Sequence, residues 1–141
     1  MKKAELVFIP TPGISHLVST VEVAKQLVDR DEKLSITFLI MKINFDPKVD
    51  RFIDSGSTAC NRIRFIHLSK YEPDPNQPNN FFVSLIESQK PSVKEEVSRL
   101  VSRSESSPGL PTLAGFVLDK FCTSMIDVAN ELRIYFSWSR K

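Results

Sequence analysis

Cysteine is scarce in this sequence. Cys60 and Cys122 lie far apart, and neither belongs to a pair spaced for a disulfide framework or a metal site. Reduced thiols and a cytoplasmic setting follow as the expectation. Long apolar runs are missing too. Leu6-Val7-Phe8-Ile9 stops at Pro10, too short for the core of a signal peptide, and no stretch approaches the length of a membrane span. Charge of one sign is not in excess: 19 basic and 17 acidic residues leave a net +2, so no basic groove for nucleic acid stands out. Glycine is sparse where a dinucleotide would need it. Pro12-Gly13-Ile14-Ser15-His16 offers one glycine in place of the Gly-x-Gly-x-x-Gly fingerprint, which argues against a dehydrogenase or a flavodoxin-like nucleotide module.

What remains is a chain of 141 residues, 41% hydrophobic and 26% charged, sized for one folded domain with one core. Glu5 to Ile9 is an apolar run cut off by Pro10-Thr11-Pro12-Gly13, the pattern of a strand buried on both faces. A helix is predicted from about His16 to Arg30, with Leu17, Val21, Ala24 and Val28 as its apolar stripe and Ser15 as its N-cap. Leu34–Ile40 and Arg62–Leu68 read as the second and third strands, with a short helix in the polar stretch between them. His67 is expected to pack beside Ile63 and Phe65. Residues 71–80 carry three prolines and read as a loop.

Phe81 to about Arg103 is helical in pattern, with Pro91 breaking or kinking its middle. Ser104–Pro111 reads as a linker, Leu113–Leu118 as a fourth strand, Thr123–Leu132 as a helix and Ile134–Trp138 as the start of a fifth strand. Strands alternating with helices imply right-handed crossovers and a Rossmann-like, doubly wound parallel α/β sheet. Such sheets carry their sites at the carboxyl ends of the strands, where strand order reverses.

In that order the first and fourth strands are neighbours. His16 follows the turn after the first strand and Asp119 directly follows the fourth, so both belong to one sheet edge. A carboxylate beside an imidazole fixes its tautomer and stabilises the imidazolium formed when it takes a proton, which makes the two a candidate general-base pair. Each residue alone is more often a capping, turn or surface residue. Phe81-Phe82 is read as core first and as acceptor wall second; Cys122 is read as a small buried residue.

At this point the residues resemble a family. Phe8-Ile9-Pro10-Thr11-Pro12-Gly13-Ile14-Ser15-His16-Leu17, followed by Val21-Glu22-Val23-Ala24-Lys25-Gln26-Leu27, is similar to the opening of plant family-1 UDP-glycosyltransferases, and within them to the group that glucosylates flavonoids and other small phenolics or terpenoids. Phe116-Val117-Leu118-Asp119-Lys120-Phe121-Cys122 is similar to the family's fourth strand with its Asp. The resemblance implies a GT-B architecture, with an N-terminal domain for the acceptor and a C-terminal domain for the UDP-sugar. It implies His16 as base, Asp119 as its partner, and no metal; Gly13, His16, Phe81 and Phe82 are the candidate acceptor-binding residues. UDP-sugar is the co-substrate, held by the other domain.

Two departures from the family pattern stand out: Ser15 where the family often has Gly, and residues 133–141, which leave the pattern without reaching the Trp-rich donor signature. The expectation is therefore a partial N-terminal acceptor domain over residues 1–141, inactive alone, with a small-molecule acceptor, no nucleic acid and no membrane as partners. The alternatives are a non-catalytic fragment that binds an acceptor or associates with a full-length relative, and a marginally stable remnant with a bare sheet edge and an exposed Trp138.

Overall fold

A computed structural model describes residues 3–11, 13–41, 47–54, 62–68, 81–106, 109–118, 125–131 and 136–138. Among them the elements run β1 (Ala4–Ile9), α1 (Ile14–Arg30), β2 (Leu34–Ile40), α2 (Pro47–Asp54), β3 (Ile63–His67), α3 (Phe81–Ser106), β4 (Thr112–Leu118), α4 (Ile126–Glu131) and β5 (Phe136–Trp138). The five strands form one parallel sheet in the order β3-β2-β1-β4-β5. Strand order thus runs outward in both directions from β1, and the reversal falls between β1 and β4. This is the doubly wound arrangement that the alternating pattern predicts.

Two apolar layers sandwich the sheet. On one face Phe8, Ile36, Phe38, Ile40 and Ile63 pack with Leu17, Val21, Ala24 and Val28 of α1 and Val49 of α2. On the other, Val7, Ile9, Leu39, Phe116 and Leu118 pack with Val93, Val97 and Leu100 of α3 and Met125 and Val128 beside and within α4. Odd and even positions of β1 serve opposite layers, as the period of two along a strand requires. A row of rings crosses the first face: Phe8 and Phe38 lie 5.2 Å apart and tilted, Phe38 and Phe65 5.1 Å apart and stacked. Each such pair adds about 0.5–1.5 kcal/mol beyond area burial.

The register between β1 and β4 contains one irregularity. Glu5 pairs with Leu113 but Leu6 with Gly115, leaving Ala114 as an extra residue in β4. Past this bulge Val7 pairs with Phe116 and Ile9 with Leu118, so each pair feeds the same core layer. Without it every later side chain of β4 would face the opposite layer.

Several local expectations need correction. The first helix begins at Ile14, not His16. Its N-cap is Gly13, which offers no side-chain hydrogen bond, and Ser15 lies exposed inside the first turn. With glycine at the N-cap, the missing side-chain cap costs only about a few tenths of a kcal/mol. Burial of Leu17, Val21 and Val28 contributes about 1.5–3 kcal/mol each, so packing outweighs the cap. Pro91 does not break α3: the helix continues through it to Ser106, into the stretch read as linker, because Ile86, Val93, Val97 and Leu100 anchor both sides of the proline to the sheet. His67 is exposed and is not part of the packing, since β3 is the edge strand and His67 is its last residue. The Trp138 side chain, Cys60, Cys122 and the proline-rich stretch 71–80 lie outside the described residues.

Candidate functional site

Loop geometry at the end of β1 begins with burial. Pro10 and Thr11 are both buried, which holds the chain tightly as it leaves the sheet. Gly13 then takes φ +130° and ψ 146°, a conformation essentially reserved for glycine. A Cβ added there would lie 3.6 Å from His16 Cδ2, an ordinary contact. The glycine is therefore required by its backbone and not by lack of space. Its carbonyl accepts the first helical hydrogen bond from the Leu17 N–H at 3.2 Å.

His16 occupies the third position of α1, half-buried at the carboxyl edge of the sheet. Its carbonyl accepts a 2.6 Å hydrogen bond from Thr20 Oγ1, in addition to its place in the helix ladder. Leu17, next in sequence, is buried in the core layer beneath α1. The ring is thus carried by a backbone fixed on both sides.

β4 ends beside this loop. Leu118, its last residue, pairs with Ile9, the last residue of β1. Asp119 comes next in the chain and lies outside the described residues. Phe81 and Phe82 form the first turn of α3, and their side chains likewise lie outside the described residues. α3 returns antiparallel to the strands, ending at Ser106 shortly before β4 begins, so its first turn belongs to the same edge as His16. The structure therefore brings Gly13, His16, the end of β4 and the start of α3 to one edge.

Sequence reasoning missed a polar row toward the opposite, amino edge, buried at Glu5 and Thr37 and open to solvent at Arg64. Thr37 Oγ1 donates to Glu5 Oε2 at 2.8 Å, and Arg64 Nη2 reaches Glu5 Oε2 at 3.4 Å and Thr37 Oγ1 at 3.3 Å. Glu5 is 6% exposed and Thr37 fully buried. The alternation of Glu5 with apolar neighbours in β1 was the only available signal. Gln89 of α3 is also buried, and its Oε1 has no hydrogen-bond partner among the described residues. Among the described residues no cluster of His, Cys, Asp and Glu suits a metal ion, and no helix is long and apolar enough to cross a membrane.

No family model matches the chain. It is similar to UDP-glycosyltransferase 71A15 of Malus domestica, with 44% identity over 140 residues, covering 94% of this chain and 29% of the relative. It is similar as well to UDP-glucose flavonoid 3-O-glucosyltransferase 6 of Fragaria ananassa, with 46% identity over 137 residues, covering 93% of this chain and 28% of that one. In three dimensions it matches the crystal structure of Medicago truncatula UGT71G1 complexed with UDP-glucose, at a TM-score of 0.82 and 36% identity, over 96% of this chain and 29% of that one. The chain thus spans a little under one third of the length of these relatives.

Proposed function

We propose that this chain, a relative of the plant UDP-glycosyltransferases in sequence and in fold, supplies the acceptor side and the base of an inverting transfer of glucose from UDP-glucose to a hydroxyl of a small phenolic such as a flavonoid. The observation that supports the reading is the register of Ile9 with Leu118 across the strand-order reversal. It sets the loop that carries His16 beside the strand that Asp119 follows. The acceptor class rests on the flavonoid named for the Fragaria relative, and the donor on the UDP-glucose of the Medicago structure.

In this mechanism the imidazole of His16 accepts the proton of the acceptor hydroxyl, and Asp119 stabilises the imidazolium that results. The acceptor oxygen forms a bond to the anomeric carbon while the bond from that carbon to the UDP phosphate oxygen breaks in line. UDP carries away the electron pair, and the configuration inverts. No step requires a metal ion. Gly13, Phe81 and Phe82 border the acceptor in this reading. Donor recognition belongs to the part of the relatives that lies beyond the matched third.

Residues 1–141 alone are therefore expected to transfer no sugar. The test joins them to the remaining part of the Malus relative and incubates both forms with UDP-glucose and a panel of flavonols, seeking glucosides by mass spectrometry. Product from the joined form alone agrees with the proposal. Product from the 141 residues above a His16→Ala background, or none from a folded joined form, overturns it.

A further inference from the structure

A cavity of about 200 Å³ opens at the amino edge of the sheet, between β1, β2, β3 and the last turns of α3. It lies about 13 Å from the His16 edge, the span of four strand residues from Glu5 to Ile9. Among the described residues its polar wall is Glu5, Ser35, Arg62, Arg64, Arg103 and Ser104; its apolar wall is Leu100, Leu110 and Pro111. A volume of about 150 Å³ suffices for a benzene ring.

The charges in that wall do not balance. Three guanidinium groups face one carboxylate. Arg62 is committed to backbone: its Nη2 donates to Val28 O at 2.6 Å and its Nη1 to Asp31 O and Leu34 O at 2.6 and 3.0 Å, closing the carboxyl end of α1. Those carbonyls are dipoles and leave its net charge in place. Arg64 shares the buried Glu5 carboxylate, with its side chain 43% exposed. The guanidinium of Arg103, exposed in the last turn of α3, has no ion-pair or hydrogen-bond partner among the described residues; the backbone carbonyl of this residue accepts from Ser106 Oγ at 3.4 Å.

The carboxyl end of α3 would ordinarily repel an anion. Here serine hydroxyls cover its carbonyls: Ser104 Oγ donates to Val101 O and Ser106 Oγ to Ser102 O, each at 2.9 Å. Opposite them Leu110 stands 39% exposed, an apolar surface left to solvent at the cavity mouth. Arginines in a partly enclosed cleft concentrate the field felt by an anion, and their planar forks match two oxygens at once.

We propose that this cavity binds a small amphipathic anion, a compact apolar ring carrying a carboxylate or phosphate, held by Arg64 and Arg103 with the ring against Leu100, Leu110 and Pro111. The site is separate from the glycosyl-transfer edge and does not depend on that reading. The test titrates the 141-residue chain with benzoate and with phenyl phosphate, following backbone amide signals by NMR. Benzyl alcohol and inorganic phosphate serve as the apolar-only and charge-only probes, and the two anions separate carboxylate from phosphate. Expected are shifts at Ser35, Arg64, Arg103 and Leu110, binding at least tenfold weaker in Arg103→Gln and also weaker in Leu110→Ser, and unchanged binding in His16→Ala. Both substituted positions are exposed, so the dispersion of the variant spectra is expected to match that of the parent. Equal affinity for benzyl alcohol or inorganic phosphate, binding unaffected by Arg103→Gln, or shifts that centre on Gly13 and vanish in His16→Ala would overturn the proposal.

Discussion

Ile9 and Leu118 are paired as the last residues of β1 and β4, the two strands that flank the reversal of strand order. Through that pair the loop that carries His16 and the strand that precedes Asp119 share one edge. If His16 is the base, its removal from a joined, active form should lower turnover by about 10²–10⁴. Asp119→Asn should lower turnover less than His16→Ala, since it leaves the imidazole in place. The comparison is made from kcat at saturating acceptor, and an unchanged kcat in His16→Ala would exclude the base role.

Gly13 lies at φ +130°, where a side chain is strained whatever the space around it. Gly13→Ala should destabilise the fold by about 1–3 kcal/mol. Urea denaturation followed by circular dichroism measures the loss. A variant as stable as the parent would show that the loop has a second, unstrained path into α1.

Thr37 is fully buried and donates to the Glu5 carboxylate at 2.8 Å. Thr37→Val keeps the shape and removes that donor, leaving a buried carboxylate whose remaining side-chain contact among the described residues is the longer one to Arg64. The expected loss is about 1–3 kcal/mol, read from the same denaturation experiment. Thr37→Ser should recover most of it, because the hydroxyl returns.

Lys90 of α3 ties two partners together, Glu87 one turn earlier at 2.9 Å and Asp127 of α4 at 3.0 Å. Its hydrogen bond with Glu87 is the largest influence holding its pKa above the ordinary lysine value of 10.5; burial opposes this, and Asp127 adds to it. A folded-state pKa above the unfolded one means that the ion pairs stabilise fully below pH 10.5 and weaken as pH rises through the folded value. Both carboxylates are well exposed to water, so Lys90→Met should cost under about 1 kcal/mol at pH 7. The stability difference between parent and variant should shrink above pH 10.5. A difference that persists at high pH would assign the effect to the packing of the lysine stem instead.

Much of the fold was legible in the residues themselves. The abrupt stop of Leu6–Ile9 at Pro10 marked a central strand, the spacing of Leu17, Val21, Ala24 and Val28 marked the buried stripe of α1, and the alternation of strands with helices marked a parallel sheet. These signals are local, because a strand or an amphipathic helix repeats its burial pattern every two or every three to four residues. Local rules failed where tertiary packing won. Ser15 has the chemistry of a cap but sits inside the helix, since the buried stripe and the Gly13 turn fix where α1 starts. Pro91 is a helix breaker by itself, yet the anchors on either side of it hold α3 in one piece.

The sequence by itself determined which elements form and that His16 and Asp119 each follow a strand. Only the tertiary structure decided how those strands meet. The bulge at Ala114 sets Leu118 in phase with Ile9, and no local pattern signals it, because an extra residue matters only against the register of a neighbour. The row of Glu5, Thr37 and Arg64 is likewise invisible along the chain. Its members are 32 and 59 residues from Glu5, and pairing across β1, β2 and β3 turns three separate polar residues into one network around the buried Glu5 carboxylate. Hydrogen bonds and charges act over a few ångströms of space, so what they join is settled by the packing that closes those distances and not by position in the sequence.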